Sequence, residues 1–391
     1  MTKPKILVVD DEPFNVDYLE QELEDSDYEI MVARNGREAL EKIQSEPPDL
    51  VLLDIMMPVM DGFEVLSCLK SDPARRDIPV IVISANSDRR SVVKGIELGA
   101  EDYLPKPFEP TLLHARITTS LDKKRLRDLE HLYLQGLERE LDIARDIQKG
   151  FLPANLPRLK GWELAAYFNA AREVAGDFYD AFLLPGDNLI FLVGDVCGKG
   201  VGAALFMTLF RSLIRAACTM DVFYKDSDKE TVTIRSRLAK AMTFTNCYIQ
   251  ENHGDSCMFA TVFVGALDLH NGMLAYINCG NEPALVLRNG GVLTSLKPTG
   301  PVVGIIPDAT FRVQEFMLGN GDLILAFTDG IPDARNSAGE SFGRTGLLNM
   351  LEGKLADPAT LLKEIESQLH AFIGDAQQFD DITVVAVMKS S

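Results

Sequence analysis

Four aspartates of this sequence each stand in a short motif at the end of an apolar run, although they lie far apart along the chain. The motifs AGDFYD, FLVGDVCGKG, LILAFTDG and QFDDITVV contain Asp177, Asp195, Asp329 and Asp380. Carboxylates that folding brings together repel one another, and a divalent metal ion is the usual compensating charge. No nucleophilic serine or cysteine with a partner histidine accompanies these motifs. The pattern therefore favours hydrolysis by metal-activated water.

Aspartates at strand ends also form turns and cap helices, so each residue taken singly has a structural alternative. The glycines around them make the combination more specific, because glycine allows a backbone to approach a ligand closely. These flanking residues are Gly176, Gly194, Gly198, Gly200, Gly202 and Gly330.

The motifs as an ordered set resemble the metal-dependent type-2C serine/threonine protein phosphatases, in the bacterial branch that acts in sporulation and stress-response partner switching. The resemblance covers roughly residues 140–389 and is carried by ELDIARDIQKGFLP, AGDFYD, GDVCGKGVGAALFM, MFATVFVGALD, INCGNEPALVLRNGG, TDGIPDARNSAGESFG and DDITVVAV. The sequence departs from the family at Cys197, Gly202 and Asn281, where Ser, Pro and His are common. None of these departures removes a metal ligand.

The resemblance implies a site for two Mg²⁺ or Mn²⁺ ions. Asp195 would bridge both ions, the Val196 carbonyl would complete the first, and Asp177 would orient water on it. Two ions about 3.5–4 Å apart can clamp a phosphoryl group and lower the pKa of a bridging water.

The second ion of this implied site would be held by Asp329 and Asp380. The adjacent acid Asp381 is an alternative to Asp380, because the motif DDITVV does not by itself distinguish the two.

A second constellation lies in the amino-terminal third, where short apolar runs alternate with amphipathic stretches such as GREALEKIQ. This alternation predicts βα units and a parallel sheet, whose ligands lie beyond the carboxyl ends of the strands. The polar residues predicted at those ends are Asp10, Asp11, Asp54, Ser84 and Lys106.

These residues stand in the motifs VVDDE, LLDIMMPVMDG, VISA and LPKPF, which resemble the receiver domain of two-component response regulators over residues 1–122. The resemblance implies that Asp54 is the phosphoacceptor and that Asp10, Asp11, Asp54 and the Met56 carbonyl form a Mg²⁺ site, with Asp10 in support. It also implies a histidine kinase or a phosphotransfer protein as the upstream partner. The alternative is a doubly wound domain that binds some other ligand.

The same resemblance assigns the switching residues of this domain. Lys106 would contact the phosphoryl group as a point charge, and Ser84 and Tyr103 would form the switch pair. The peptide bond before Pro107 is expected to be cis, as in the family.

The stretch from Thr111 to Phe151 has no interior proline and one glycine, Gly136, and it predicts a long helix. Its apolar residues recur at intervals of three and four, which favours a coiled coil that pairs in a homodimer. A helix that packs on its own domain is the alternative. The spaced residues form two sets with a shift in register between them: Leu126, Leu129 and Tyr133, and then Leu134, Leu137, Leu141, Ala144 and the polar Gln148.

The predicted organisation is therefore a receiver domain at 1–122, a linker helix at 123–150 and a phosphatase domain at 151–391. The first is expected to be an α/β fold with a doubly wound, parallel, five-stranded sheet. The last is expected to be an α+β fold, a two-sheet β-sandwich flanked by helices.

The composition indicates a cytoplasmic signalling protein. The net charge is −19, and nothing resembles the basic helical reader of DNA-binding regulators, which disfavours nucleic acid as a partner. No apolar run approaches the 18 or more residues of a membrane span, so no membrane association is expected. The six cysteines form no CxxC pair, which favours a reduced compartment.

The leading functional hypothesis is a response regulator whose phosphorylation controls a metal-dependent protein phosphoserine/phosphothreonine phosphatase. The family's best-known substrates suggest a phosphorylated anti-sigma-factor antagonist as its target. The alternative is a non-catalytic adaptor whose phosphatase-like domain binds a signalling partner.

Overall fold

The structure is a computed structural model that describes residues 3–24, 26–85, 89–220, 233–353 and 357–390. The chain forms two compact units, Met1–Leu137 and Glu138–Ser391. The division between them falls within one helix, α5 (Pro110–Phe151).

The first unit contains a five-stranded parallel sheet in the order β2-β1-β3-β4-β5. This is the predicted doubly wound fold. Its strands are β1 (Lys5–Val9), β2 (Glu29–Ala33), β3 (Leu50–Asp54), β4 (Val80–Ala85) and β5 (Asp102–Lys106), and its shorter helices are α1 (Pro13–Glu24), α2 (Gly36–Ser45), α3 (Gly62–Ser71) and α4 (Arg89–Glu97).

The central strands of this sheet are continuous apolar runs because both of their faces are covered. Leu7 and Leu53 pack into the core on one face, while Ile6 and Leu52 pack into the core on the other. The polar residues that follow these strands are thereby held at the carboxyl edge of a rigid sheet.

The second unit contains two antiparallel sheets of five strands, in the orders β13-β10-β9-β8-β7 and β12-β11-β14-β15-β6. The strands are β6 (Trp162–Asn169), β7 (Asp177–Leu184), β8 (Asn188–Val196), β9 (Ala260–Asp268), β10 (Met273–Cys279), β11 (Ala284–Arg288), β12 (Gly291–Leu296), β13 (Gln314–Met317), β14 (Leu323–Phe327) and β15 (Ile382–Lys389). The helices are α6 (Val201–Thr219), α7 (Ile234–His253), α8 (Gly343–Leu351) and α9 (Pro358–Ile373).

The two sheets pack face to face through large apolar side chains, among them Phe191 and Phe263 from the first sheet and Ile324 and Val385 from the second. Helices α6 and α7 cover the outer face of the first sheet, and α8 and α9 cover the outer face of the second. The predicted two-sheet sandwich flanked by helices is confirmed.

Helix α6 is long and apolar enough to pass the test for a membrane span by length and composition. It has 19 residues and a mean hydropathy of 1.5 over an 18-residue window. Its apolar face packs in the core of the second unit through Met207, Phe210 and Ile214. A core helix of this kind passes the same test, so the finding is weak evidence for a membrane.

Helix α5 is continuous over 42 residues. Much of its apolar surface is exposed, since Leu126, Leu129 and Tyr133 keep 67%, 63% and 72% of their surface open to solvent. An apolar stripe on a long helix is unusual for an isolated surface helix, whose exposed face is normally polar.

Candidate metal centres

Three carboxylates of the first unit converge at the carboxyl edge of its sheet. Asp10 and Asp11 follow β1, and Asp54 ends β3. Within the described part of the chain, they are the group of three acids whose ligand atoms all lie within 4.8 Å of one another. Lys106 Nζ lies 2.9 Å from Asp10 Oδ2 and 3.1 Å from Asp54 Oδ2.

The environment of Asp54 disfavours its charged form. Burial raises the pKa of Asp54 to about 6, although the Lys106 charge opposes this shift and the Asp10 charge adds to it. Lys106 thus offsets part of the repulsion between the acids, and a divalent cation would offset the rest. The backbone N–H of Ile55 donates to Asp54 Oδ1 at 3.0 Å.

The buried amide of Asn15 also orients this group, and the sequence motifs did not point to it. Its Nδ2 donates to both carboxylate oxygens of Asp10, at 3.0 and 3.1 Å, and to Glu12 Oε2 at 3.0 Å. Only the three-dimensional turn from β1 into α1 brings these groups together.

The remaining residues assigned to this domain lie near the same edge. Ser84 is buried in β4, while Tyr103 in β5 is 36% exposed and has the Arg116 guanidinium 5.1 Å from its ring centre. Met56 has an exposed side chain. The Lys106–Pro107 peptide bond is cis, as expected.

A second group of acids lies at one end of the sandwich in the second unit. Asp177 begins β7 and faces Asp195 of β8 directly across the strand pair. Burial and then the Asp329, Asp380 and Asp381 charges raise the pKa of Asp195 to about 7. Burial also raises the pKa of Asp177, with the charges of Asp195 and Asp381 adding to the effect.

The other acids of this group come from the second sheet. Asp329 follows β14, and Asp380 and Asp381 precede β15, its hydrogen-bonded neighbour. Desolvation and then the charge of Asp380 raise the pKa of Asp329 to about 6. Folding therefore brings the five acids predicted for the phosphatase domain near enough to affect one another's pKa, two from one sheet and three from the other.

The adjacent residues Asp380 and Asp381 have different surroundings. Both oxygens of the buried Asp381 accept backbone N–H groups, from Ala171 at 2.7 Å and from Gly176 at 2.8 Å. Asp380 is partly open to solvent and pairs with Lys199 Nζ at 2.8 Å.

Two glycines allow the strands to approach closely here. A Cβ atom on Gly330 would lie 1.8 Å from the Asp381 carbonyl oxygen, so no other residue fits at that position without displacing the backbone. A Cβ atom on Gly176 would lie 3.0 Å from the carbonyl oxygen of Val196 and 3.3 Å from Asp195 Oδ1.

Two buried threonines, Thr328 and Thr383, contact Asp177 and were not identified from the sequence. Their hydroxyl groups donate to Asp177 Oδ2 at 2.7 and 2.6 Å. Both stand next to a predicted acid motif, TDG or DDIT, which is the signal that could have identified them.

The donor set of this second centre fits divalent ions. Hard cations such as Mg²⁺ and Mn²⁺ prefer carboxylate and carbonyl oxygens, and the raised pKa values of Asp177, Asp195 and Asp329 show that negative charge is undercompensated. Among the described residues, no three of these acids have ligand atoms that all lie within 4.8 Å of one another, unlike the three acids of the first unit.

The last turns of α5 hold the backbone segment that leads to Asp177. The buried side chain of Gln148 donates to the Ala175 carbonyl at 2.7 Å and accepts the Ala175 N–H at 2.9 Å. Arg145 Nε donates to the Glu173 carbonyl at 3.0 Å. The end of the helix therefore contacts Ala175, which stands two residues before the candidate site residue Asp177.

Comparison with known families assigns both parts of the chain. The family described as "Stage II sporulation protein E (SpoIIE)" matches residues 185–389, just over half of the chain, and the family described as "Response regulator receiver domain" matches residues 6–118.

Curated relatives match different shares of the chain. Protein IcfG of Synechocystis sp. (strain ATCC 27184 / PCC 6803 / Kazusa) is 43% identical over 270 residues, which are 65% of this chain and 42% of that protein. Response regulator PleD of Caulobacter vibrioides is 46% identical over 113 residues, which are 29% of this chain and 25% of that protein. The chain thus spans less than half the length of each.

Among solved structures, the SiaA-PP2C domain of Pseudomonas aeruginosa aligns with a TM-score of 0.54 at 21% identity. The alignment covers 65% of this chain and 97% of that one. At this identity the likeness shows the fold, which is the type-2C phosphatase sandwich.

Proposed function

Because the chain belongs to the stage II sporulation protein E family and carries a response-regulator receiver domain ahead of the matched region, we propose that it is a metal-dependent protein phosphatase controlled by phosphorylation of Asp54. A receiver joined to a SpoIIE-type phosphatase domain fits a response-regulator-controlled phosphatase of a partner-switching pathway. The finer assignments below concern the metal ions, the residues that hold them, the substrate and the partners.

The observation that carries the proposal is the set of acids gathered at one end of the sandwich, with the pKa of Asp195 raised to about 7. Two bound Mg²⁺ or Mn²⁺ ions would supply a water of lowered pKa and a clamp for the phosphoryl group. Asp195 lies between the acids of the two sheets, which suits it to hold both ions with the neighbouring Val196 carbonyl.

Asp329 and Asp380 are suited to the second ion, because both face the site from the same pair of strands. The contacts of Asp381 support Asp380 as the ligand of the DDITVV motif. Both oxygens of Asp381 accept backbone N–H groups, whereas Asp380 accepts one backbone N–H with Oδ1 and uses Oδ2 in an ion pair with Lys199 that a metal could replace. Asp177, buried and hydrogen-bonded, is suited to orient water.

A metal-dependent phosphatase assay on the full chain tests this proposal. We expect hydrolysis of a phosphoprotein with Mg²⁺ or Mn²⁺, its loss in chelator, and a loss of about 10²-fold or more in Asp195→Asn, since several kcal/mol of charge stabilisation depend on the ions. Asp187→Asn is a matched control, because Asp187 lies in the turn at the other end of the β7–β8 pair.

Wild-type rates in Asp195→Asn would contradict the assignment. If the wild-type protein binds a phosphoprotein but turns over no substrate with either metal, the adaptor hypothesis replaces the enzyme hypothesis.

We infer that the substrate is an intact phosphorylated protein, such as an anti-sigma-factor antagonist, rather than a short phosphopeptide. A chain of net charge −19 offers no general attraction to a phosphate group, so recognition requires a specific surface beside the acids. The first turns of α6 follow the GDVCGKG motif and expose Val201 (48%) and Leu205 (66%). The acidic segment of about 220–232, which follows α6 along the chain, is a second candidate by its sequence, and its residues 221–232 lie outside the described part of the structure.

This substrate hypothesis predicts a higher kcat/KM on a phosphoprotein than on a peptide with the same site. Leu205→Glu should raise KM for the protein severalfold while hydrolysis of p-nitrophenyl phosphate stays unchanged. Leu293→Glu, at an exposed leucine of β12, is the control. Equal kcat/KM for peptide and protein would contradict the hypothesis.

The proposed partners follow from the receiver and the long helix. We propose a histidine kinase or phosphotransfer protein as the phosphodonor, with one Mg²⁺ at Asp10, Asp11, Asp54 and Met56, and a homodimer formed through α5. Lys106, Ser84 and Tyr103 would respond to the phosphoryl group. The proposed location is the cytoplasm, where such donors act.

A further inference from the structure

Two threonine hydroxyl groups converge on one carboxylate oxygen in the interior of the second unit. Thr328 Oγ1 and Thr383 Oγ1 lie 2.7 and 2.6 Å from Asp177 Oδ2. Both threonines are 0% exposed and Asp177 is 1% exposed. Hydrogen bonds between buried groups of this kind are costly to leave unmade, so the three side chains constrain one another.

The surroundings of the Thr328 hydroxyl favour Asp177 as its acceptor. The backbone N–H of Thr383 donates to Thr328 Oγ1 at 3.1 Å, and of the two acceptors near the Thr328 hydroxyl, Asp177 Oδ2 at 2.7 Å is closer than the Thr383 carbonyl at 3.5 Å. The backbone N–H of Thr328 in turn donates to the Thr383 carbonyl at 3.1 Å. The two threonines thus form a closed pair that presents both hydroxyl groups to the same oxygen.

This network joins the two sheets of the sandwich. Asp177 begins β7 of the first sheet, Thr383 lies in β15 of the second, and Thr328 directly follows β14. The candidate metal acids are divided in the same way, because Asp195 faces Asp177 in the first sheet and Asp329 follows Thr328 in the second. A shift at the threonines would therefore change the distance between the two halves of the site.

Resting on the phosphatase function proposed above, we propose that Thr328 and Thr383 are positioning residues that fix Asp177 and align the two halves of the acid group for divalent ions. Groups that orient metal-binding side chains change metal affinity by about 10–100-fold when they are removed. A purely structural role would lower stability and leave the affinity for the ion unchanged.

The experiment uses the full chain and near-isosteric variants that delete only the hydroxyl group, Thr328→Val and Thr383→Val. Thr245→Val is the matched control, since Thr245 is also 0% exposed and donates its hydroxyl to a helix carbonyl, that of Ala241, at 2.9 Å. Hydrogen exchange measured by mass spectrometry reports the Mn²⁺ concentration at which peptides covering 196–200 and 329–334 become half-protected. Peptides covering 5–16 report the receiver site in the same samples.

We expect the half-protecting Mn²⁺ concentration of the 196–200 and 329–334 peptides to rise by about 10-fold or more in each valine variant. It should change less than about twofold in Thr245→Val, and the 5–16 peptides should respond alike in all proteins. Thr328→Ser and Thr383→Ser, which keep the hydroxyl group, should restore wild-type values.

An unchanged or lower Mn²⁺ requirement in the valine variants overturns the inference while the proposed function stands. If the valine variants do not fold, the serine variants decide. A wild-type Mn²⁺ affinity in the serine variants supports the role of the hydroxyl groups. A raised Mn²⁺ requirement in them assigns the effect to the lost packing of the methyl groups. If the wild-type 196–200 and 329–334 peptides show no Mn²⁺-dependent protection at all, the proposed metal site itself fails.

Discussion

Asp195 and its neighbouring acids place negative charge where the fold does not neutralise it. The pKa of Asp195 is raised to about 7 and that of Asp329 to about 6, in both cases first by desolvation and then by neighbouring carboxylates. Such charge is unfavourable in the metal-free protein and favourable for binding a cation. The residues best placed for catalysis are thus expected to lower the stability of the metal-free fold.

The pH dependence of metal-free stability tests this expectation. The raised pKa values mean that the folded state binds more protons than the unfolded state between about pH 4 and pH 7. The stabilising effect of these protons is complete when the pH is below the pKa values of the unfolded state. It is lost as the pH rises through the folded-state pKa values near 6 and 7.

In chelator, Asp195→Asn should therefore unfold at a higher temperature than the wild type. This difference in unfolding temperature should widen from pH 5 to pH 7.5. Thermal unfolding followed by circular dichroism measures it. A gap that is constant across this range, or that narrows, would show that the Asp195 charge is not destabilising.

At the scale of elements, α5 ends in contacts that lead to the acid group. Gln148 forms two hydrogen bonds with the backbone of Ala175, and the next residue, Gly176, donates to Asp381. The last turn of the helix is therefore fixed to the short segment that leads into the strand beginning with Asp177.

Gln148→Ala should lower phosphatase activity several-fold and destabilise the second unit by about 1–3 kcal/mol, because two buried backbone groups lose their partners. Steady-state kinetics and urea unfolding measure the two effects. The control Gln135→Ala changes an exposed glutamine of the same helix that contacts His131. Equal activity in Gln148→Ala and the wild type would show that the contacts at the end of the helix do not affect the site.

The exposed apolar stripe of the same helix predicts association between two copies of the chain. Leu129→Glu should convert a dimer to a monomer, because it places a charge in a seam that otherwise buries leucine. Sedimentation equilibrium measures the change, and Leu293→Glu introduces the same charge at an exposed leucine outside the helix. A wild-type protein that is monomeric at all concentrations would contradict this prediction.

At the scale of the whole molecule, the proposed signal begins at Asp54 and is read as a change in phosphatase rate. Phosphorylation would replace the buried carboxylate that contacts Lys106 with an acyl phosphate, whose phosphoryl group carries a charge of about −1.5 to −2. Such a change can bias a receiver surface with two states, and the half-exposed Tyr103 face beside the start of α5 is the expected surface.

Asp54→Ala should abolish the response of phosphatase rate to an acyl-phosphate donor and leave the basal rate unchanged, because the residue lies in the receiver. Phosphatase assays with and without the donor measure the response, and intact mass spectrometry verifies phosphorylation. Asp27→Ala, an exposed acid of the same unit that pairs with Lys3, is the control. Identical rates for phosphorylated and unphosphorylated wild-type protein would refute the coupling.

The sequence by itself determined the two fold classes, the continuous long helix and the acids that folding gathers. Periodicity and the order of the motifs carry that information locally: LVLLD reads as a buried strand that ends in an acid, and TDG marks the end of another. Helix α6 shows the limit of this reasoning, since its length and composition pass the test for a membrane span and only its packing identifies it as a core helix.

Tertiary structure alone decided the contacts that set the properties of the site. Asn15 meets Asp10 across a turn, Gln148 meets Ala175, which is 27 residues away and precedes β7, and Thr383 reaches an acid 206 residues away. The difference between Asp380 and Asp381 depends on which carboxylate meets the backbone N–H groups of Ala171 and Gly176. A hydrogen bond and a raised pKa depend on distances between remote groups, and such distances exist only once the sheets have packed.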